Sequence, residues 1–463
     1  MSSLPLTPAT GPLQHVVADA VPGRRRFDAP AAWITGLCLV LAGYALMGKG
    51  FAYLGVAPLF IGELLMLGGI MVTLTCPAWR RLADIPVLWL LVMLMAWGLL
   101  RTLPYLGRYK ADALRDAVIF GYGTFTFLVA AWLIARPALL GVLLDRYRRF
   151  VPVFLLVVPV LWLAQQLLHG QFPAWPWANV AIIHLKAADI LVHLAGMSAL
   201  AIVGLDRRRS LLWPLLILLN AALCSVINRG GLVSFAAVVL IAFAFYPRST
   251  WMRQTVIVGV LVVAALAIIN PEIQTPNDRR KISFEQLTTN VMSMVSDTNK
   301  GDLDGTKQWR LDWWGQIIGY TFDGPHFWTG KGFGINLAND DGFQVFEDES
   351  LRSPHNGHLT ILARAGVPGL ALWAALQGGF ALTLLGAIRR ASRRGDTAWR
   401  AVFVFILAYW AGFMVNASFD VFIEGPMGGI WFWSLIGVGT GAVWVYRHAP
   451  DSAGICERPV PCA

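Results

Sequence analysis

Residues 255–276 read TVIVGVLVVAALAIINPEIQTP. The stretch is apolar and uncharged from Thr255 to Asn270 and turns polar at Pro271. An uncharged apolar run suits the bilayer core, where a spanning helix needs about 20 residues. The run opens onto a connection of about 85 mostly polar residues that ends at Asn356, before the next apolar run begins. Structureless loops beyond about 15 residues are uncommon and tend to be functional. The chemistry of this chain is therefore expected there.

The rest of the chain repeats the apolar pattern. It has 463 residues, 57% hydrophobic and 14% charged, with mean hydropathy +0.59. That composition excludes a soluble domain and predicts an all-α polytopic membrane protein. Apolar runs fall at 32–48, 58–75, 84–100, 117–135, 150–168, 187–205, 211–228, 232–246, 255–270, 369–388, 401–418 and 427–446. They predict about twelve transmembrane helices, because backbone polar groups in lipid must be satisfied within the helix. The expected organisation is a tail at 1–31, a membrane domain of about nine helices at 32–270, an outer loop subdomain at 271–368, membrane helices at 369–446, and a second tail at 447–463.

Arginine placement predicts orientation. Arg24–Arg26, Arg80 and Arg81, Arg136 with Arg146, Arg148 and Arg149, Arg207–Arg209, Arg248 with Arg253, and Arg389–Arg400 fall on alternate connections. The positive-inside rule makes those faces cytoplasmic and the 271–356 loop external. The +10 charge thus reflects topology and does not point to nucleic acid. The loop itself carries 13 Asp and Glu against 8 Lys and Arg. The first run, after Ala31, reads as a retained span rather than a cleaved signal. The five cysteines place no pair on the external side, so disulfides are not expected.

Within the loop, Ser283-Phe284-Glu285-Gln286 is a capping-box start. A second helix is predicted near Thr306–Tyr320, where Trp309, Trp313, Trp314, Ile317 and Ile318 form an apolar stripe. Gly330-Lys331-Gly332-Phe333-Gly334 is a turn. Ser353 is a good N-cap with Pro354 at the first helical position. That helix should end near Ala365, because Gly366 and Pro368 break it, and it should lie at the outer interface.

His355 is the sharpest candidate for chemistry. In the first turn of a helix the partial positive charge disfavours imidazolium, and a neutral imidazole can act as a general base. Read alone, it is also an interfacial cap, as are His326 and His358. Arg229 lies in the tight outer turn Ile227-Asn228-Arg229-Gly230-Gly231, where its planar fork suits a lipid-linked phosphate or simply snorkels. Arg310 sits beside Trp313 and Trp314 at helical spacing, facing either a ligand or a loop carboxylate. Lys186 with Asp189, and Arg115 with Asp116, stand at outer entrances of spans as ion pairs or phosphate contacts. Glu63 lies in an apolar run and needs a partner, for which Lys49 is a candidate. Asp302-Leu303-Asp304 resembles a metal-holding D-x-D but sits between turn glycines. No Cys/His cluster, P-loop or nucleophile elbow is present.

Three pieces in order resemble the O-antigen ligase and polymerase family of bacterial envelope glycosyltransferases. They are Asn228-Arg229-Gly230-Gly231-Leu232, with Asn where the family has Ser; Arg310-Leu311-Asp312-Trp313-Trp314 followed by Gly330-Lys331-Gly332-Phe333-Gly334; and His355-Asn356-Gly357-His358-Leu359 followed by Gly366-Val367-Pro368-Gly369. The resemblance covers about 140 residues, from 229 to 369. It implies a GT-C-like fold without metal or other cofactor. It implies a glycan donor on undecaprenyl diphosphate, used at the periplasmic face of the inner membrane. Carried over, Arg229 and Arg310 bind the diphosphate and His355 assists the acceptor hydroxyl. Lys186, Arg115 and Asn356 are expected to help bind substrate, and Trp313 and Trp314 to offer a lid or sugar platform. The expected reaction is an inverting displacement at the anomeric carbon. The expected acceptors are lipid A–core for a ligase, growing polysaccharide for a polymerase, or a protein Ser or Thr for an O-oligosaccharyltransferase. A transporter or flippase is the different-class alternative. It fits less well, because Glu63 is the one convincing intramembrane charge and no internal repeat is evident.

Overall fold

The computed structural model describes residues 28–168, 171–206, 208, 210–226, 228–269, 288 and 301–455. The helix expected from Ser283, residues 1–27 and 456–463 of the two tails, and the side chains of Asp302–Asp304 lie outside the described residues. Each of the twelve apolar runs falls on a helix. Among the described residues, eight helices are long and apolar enough to cross a membrane by length and composition. Four shorter apolar helices join them: Ile61–Thr73, Ala187–Ile202, Leu212–Ser225 and Arg229–Phe245. Among the described residues the one sheet is a two-stranded hairpin, Gly55–Val56 paired with Leu59–Phe60.

Three helices meet at one end of the bundle. Ala187–Ile202, Arg229–Phe245 and Thr397–Ala417 pack mutually. The first two begin at the same end at which the third finishes. A buried aromatic column runs down their interior: Phe422 stacks on Phe413, and His193 packs against both and against Trp431.

Two local expectations are corrected here. Glu63 does not meet Lys49: its carboxylate accepts from the Tyr122 hydroxyl at 2.5 Å and from the Phe60 N–H at 3.2 Å, so it caps its own helix. Asn356, not Ser353, is the N-cap before Gly357, and its Oδ1 accepts from the N–H groups of His358 and Leu359 at 3.1 Å each. His355 thus precedes the cap. The chain is helical from Gly357 to Arg394 but breaks at Gly366 (φ 70°, ψ −174°), as the Gly and Pro predicted. The turn before the break, Thr360–Gly366, is buried within the protein.

A second, smaller apolar core holds the outer segment. Trp313, Ile317, Leu337 and Leu351 close over Leu362 and Ala363 of the buried turn. A charge network ties this segment to the membrane helices. Asp116 accepts from Gly334 N–H (3.0 Å) and pairs with Arg352 (3.1 Å) and Arg364 (2.9 Å). Arg364 also donates to the Ile335 carbonyl at 3.0 Å. Gly332 (φ 87°) lets the chain pass the Tyr105 ring, since a Cβ there would meet it at 2.1 Å.

Candidate functional site

The site is built on chain ends. Asn228 caps the Arg229–Phe245 helix, its Oδ1 accepting from Gly231 N–H at 2.7 Å. The cap role of a Ser is therefore preserved by Asn. The two glycines serve close approach. A Cβ on Gly230 would lie 2.7 Å from Phe419 Cβ, and one on Gly231 would lie 3.0 Å from Ala188 Cα. Arg229 is thereby held at the first turn, next to the start of Ala187–Ile202 and to the Phe419-Asp420 turn.

Arg310 arrives from the outer segment. It lies on the Gly301–Ile318 helix and donates through Nη1 to the Phe419 carbonyl at 3.2 Å. Its Nε is buried without a partner. Burial and the Arg229 guanidinium lower its pKa, with Asp420 opposing. Two guanidiniums thus share one locality, an arrangement that calls for an anion.

His355 faces the same locality. Its backbone is left-handed (φ 53°), which costs a residue with a Cβ about 1–2 kcal/mol. Neighbours hold it there: Trp314 Nε1 donates to the Pro354 carbonyl at 2.9 Å, and Asn356 begins the next helix. Burial, then the Arg310 charge, lowers its pKa to about 4, with Asp420 opposing and Lys186 adding to the effect. The imidazole is therefore neutral near pH 7. His355 and Arg310 share the wall of a 310 Å³ cleft with Trp309, Val345, Phe346 and Leu351.

Lys186 closes the far side. It precedes Ala187–Ile202, and its ammonium lies 3.8 Å from Asp420. Burial works against the charge, but Asp420, Asp189 and Glu424 more than offset it and raise its pKa. Its partner is thus Asp420, not the Asp189 of the same helix, whose Oδ1 is buried and unpaired.

Other expected residues lie elsewhere. Arg115 is exposed and meets Asp112 at 3.8 Å, while the Asp116 beside it belongs to the Arg352–Arg364 network. Trp313 offers no face to a sugar: it is 0% exposed, stacked on Phe343 and hydrogen-bonded to Asp341. The stripe that predicted a platform is the apolar core of the segment, and Trp309 lines the cleft instead. Trp314 positions the His355 turn. His358 is spent on packing, with Trp373 Nε1 donating to its Nδ1 and its Nε2 against the Met414 carbonyl, both at 3.1 Å. Lys331 pairs with Asp340 and Asp341.

Sequence reasoning missed Asp420 and Glu424. Glu424 accepts from Thr360 Oγ1 at 2.8 Å, and burial raises its pKa to about 7. A signal existed: these are the two acids of the short connection between the last two apolar helices, on the face of three cations. Among the described residues, no group of three or more His, Cys, Asp or Glu is placed to hold a metal ion.

Residues 214–374 match the family model described as O-antigen ligase. That stretch contains Arg229, Arg310 and His355. No curated protein matches the chain.

Proposed function

We propose that this membrane protein, whose residues 214–374 match the O-antigen ligase family model, transfers a glycan from a polyprenyl diphosphate carrier to an acceptor hydroxyl at the external face of the bacterial inner membrane. The match supports a glycan-processing membrane enzyme. The observation that carries the finer reading is the convergence of a neutral imidazole and two guanidiniums on the Phe419-Asp420 turn.

Displacement at an anomeric carbon needs a base for the acceptor and positive charge for the leaving group. His355 takes the acceptor proton. Arg310 and Arg229 receive the departing diphosphate, helped by the starts of Ala187–Ile202 and Arg229–Phe245, where backbone N–H groups and the helix dipole favour anions. Lys186, held by Asp420, adds to that field. The cleft beside His355, with Trp309 and Phe346, suits a sugar face. The carrier is already activated, so no nucleotide enters the reaction.

The test uses purified protein in proteoliposomes with carrier-linked glycan and defined acceptors, and no ATP. Product on a lipid A–core acceptor supports the ligase reading. Elongation of the donor glycan itself marks a polymerase, and a glycosylated peptide marks a protein O-oligosaccharyltransferase. Absence of transfer to every acceptor sinks the enzyme reading.

A further inference from the structure

A cavity of 140 Å³ opens in the bundle and shares no lining residue with the cleft at His355. Its walls are apolar, with Leu41, Leu144, Phe405 and Val438 among them, and Arg146 interrupts them. The Arg146 guanidinium donates to Thr35 Oγ1 at 2.8 Å and reaches Cys38 Sγ at 3.8 Å, both neutral. Asp145, next to it in the chain, pairs with Arg148, and Asp28, at the start of the helix that carries Thr35 and Cys38, pairs with Arg136. Among the described residues no carboxylate lies within 4.0 Å of Arg146. An unneutralised guanidinium beside apolar space is costly and calls for an anion.

The depth of Arg146 says which anion. Gln165, on the same helix, bonds Leu185 beside Lys186 and so marks the glycan-handling face. Arg146 comes nineteen residues earlier on that helix, about 28 Å at 1.5 Å per residue. The hydrocarbon core is about 30 Å thick. Arg146 therefore stands at the opposite membrane surface, among Arg136, Arg148 and Arg149. A carrier diphosphate held by Arg310 and Arg229 cannot reach it.

We propose that this cavity binds an anionic phospholipid of that opposite leaflet. The lipid phosphate sits on Arg146, and one acyl chain fills the apolar space towards Val438. The site is independent of the transfer chemistry.

The test is lipid retention by the purified full-length protein in detergent, read by native mass spectrometry and by Tm. Phosphatidylglycerol and phosphatidylcholine are added in parallel. The wild type is expected to keep a phosphatidylglycerol molecule and to gain Tm from that lipid over phosphatidylcholine. Arg146→Gln should weaken phosphatidylglycerol binding about tenfold and abolish the preference. Val438→Phe, which fills the cavity and leaves the arginine, should lose retention. Equal gains from both lipids, or an undiminished preference in Arg146→Gln, overturn the proposal. Displacement by undecaprenyl phosphate more readily than by phosphatidylglycerol also overturns it. If Arg146→Gln does not fold, Val438→Phe decides alone.

Discussion

At the residue scale, the site turns on one imidazole whose protonation is controlled by its surroundings. Its folded-state pKa lies below the ordinary 6.5, near 4. A base is active while unprotonated, so kcat/KM should fall as pH drops through about 4, with no step near 6.5 from this group. A pH–rate profile of the purified enzyme checks this, and an acid limb centred near 6.5 would exclude His355 as the base. Replacing His355 by Ala should cost about 10²–10⁴-fold in transfer, the usual range for a lost general base. Arg310→Lys keeps the charge but loses the fork that reaches the Phe419 carbonyl. It should lower transfer by about 10-fold or more, because Lys cannot replace a bidentate phosphate contact. Steady-state rates on carrier-linked glycan measure both. A readout at wild-type level for either variant, with normal expression, removes that residue from the mechanism.

At the scale of elements, the Asn228–Gly231 turn is the joint that aims Arg229. Asn228→Ser should change stability by only a few tenths of a kcal/mol, because either side chain caps the helix, whereas Asn228→Ala should cost about 1 kcal/mol. Gly231→Ala should cost about 1–3 kcal/mol, since a methyl would press on the backbone of Ala188 at 3.0 Å. Thermal unfolding in detergent reads both. Much of this joint was legible beforehand. N-R-G-G is short, polar and placed between apolar runs, so a tight turn with an arginine was readable from local pattern. The reason for two glycines was not, because it lies in Phe419 for Gly230 and in Ala188 for Gly231, both far away in the sequence.

At the scale of the whole molecule, the outer segment is fastened to the membrane helices by Asp116. Removing its carboxylate leaves Arg364, 2% exposed, without its closest counter-charge. Asp116→Ala should therefore destabilise by about 3–5 kcal/mol, the cost of breaking a buried ion pair. Limited proteolysis should then cut the outer segment sooner than in the wild type. An unchanged digestion pattern and Tm would show that the apolar core under Trp313 suffices.

Hydropathy, arginine placement and motif order depend on residues within a few turns of each other. They are enough to determine a helical membrane chain and a large polar insertion, and to single out a histidine and two arginines as candidates for the chemistry. Tertiary structure alone decided what each of these groups faces. It set Lys186 against Asp420 rather than Asp189, buried Trp313 while Trp309 lines the cleft, and brought Arg310 to the carbonyl of Phe419. The physical reason is range. Helix formation and membrane insertion follow from local period and composition, whereas an ion pair across more than two hundred residues exists only once three helices have packed and their ends have met.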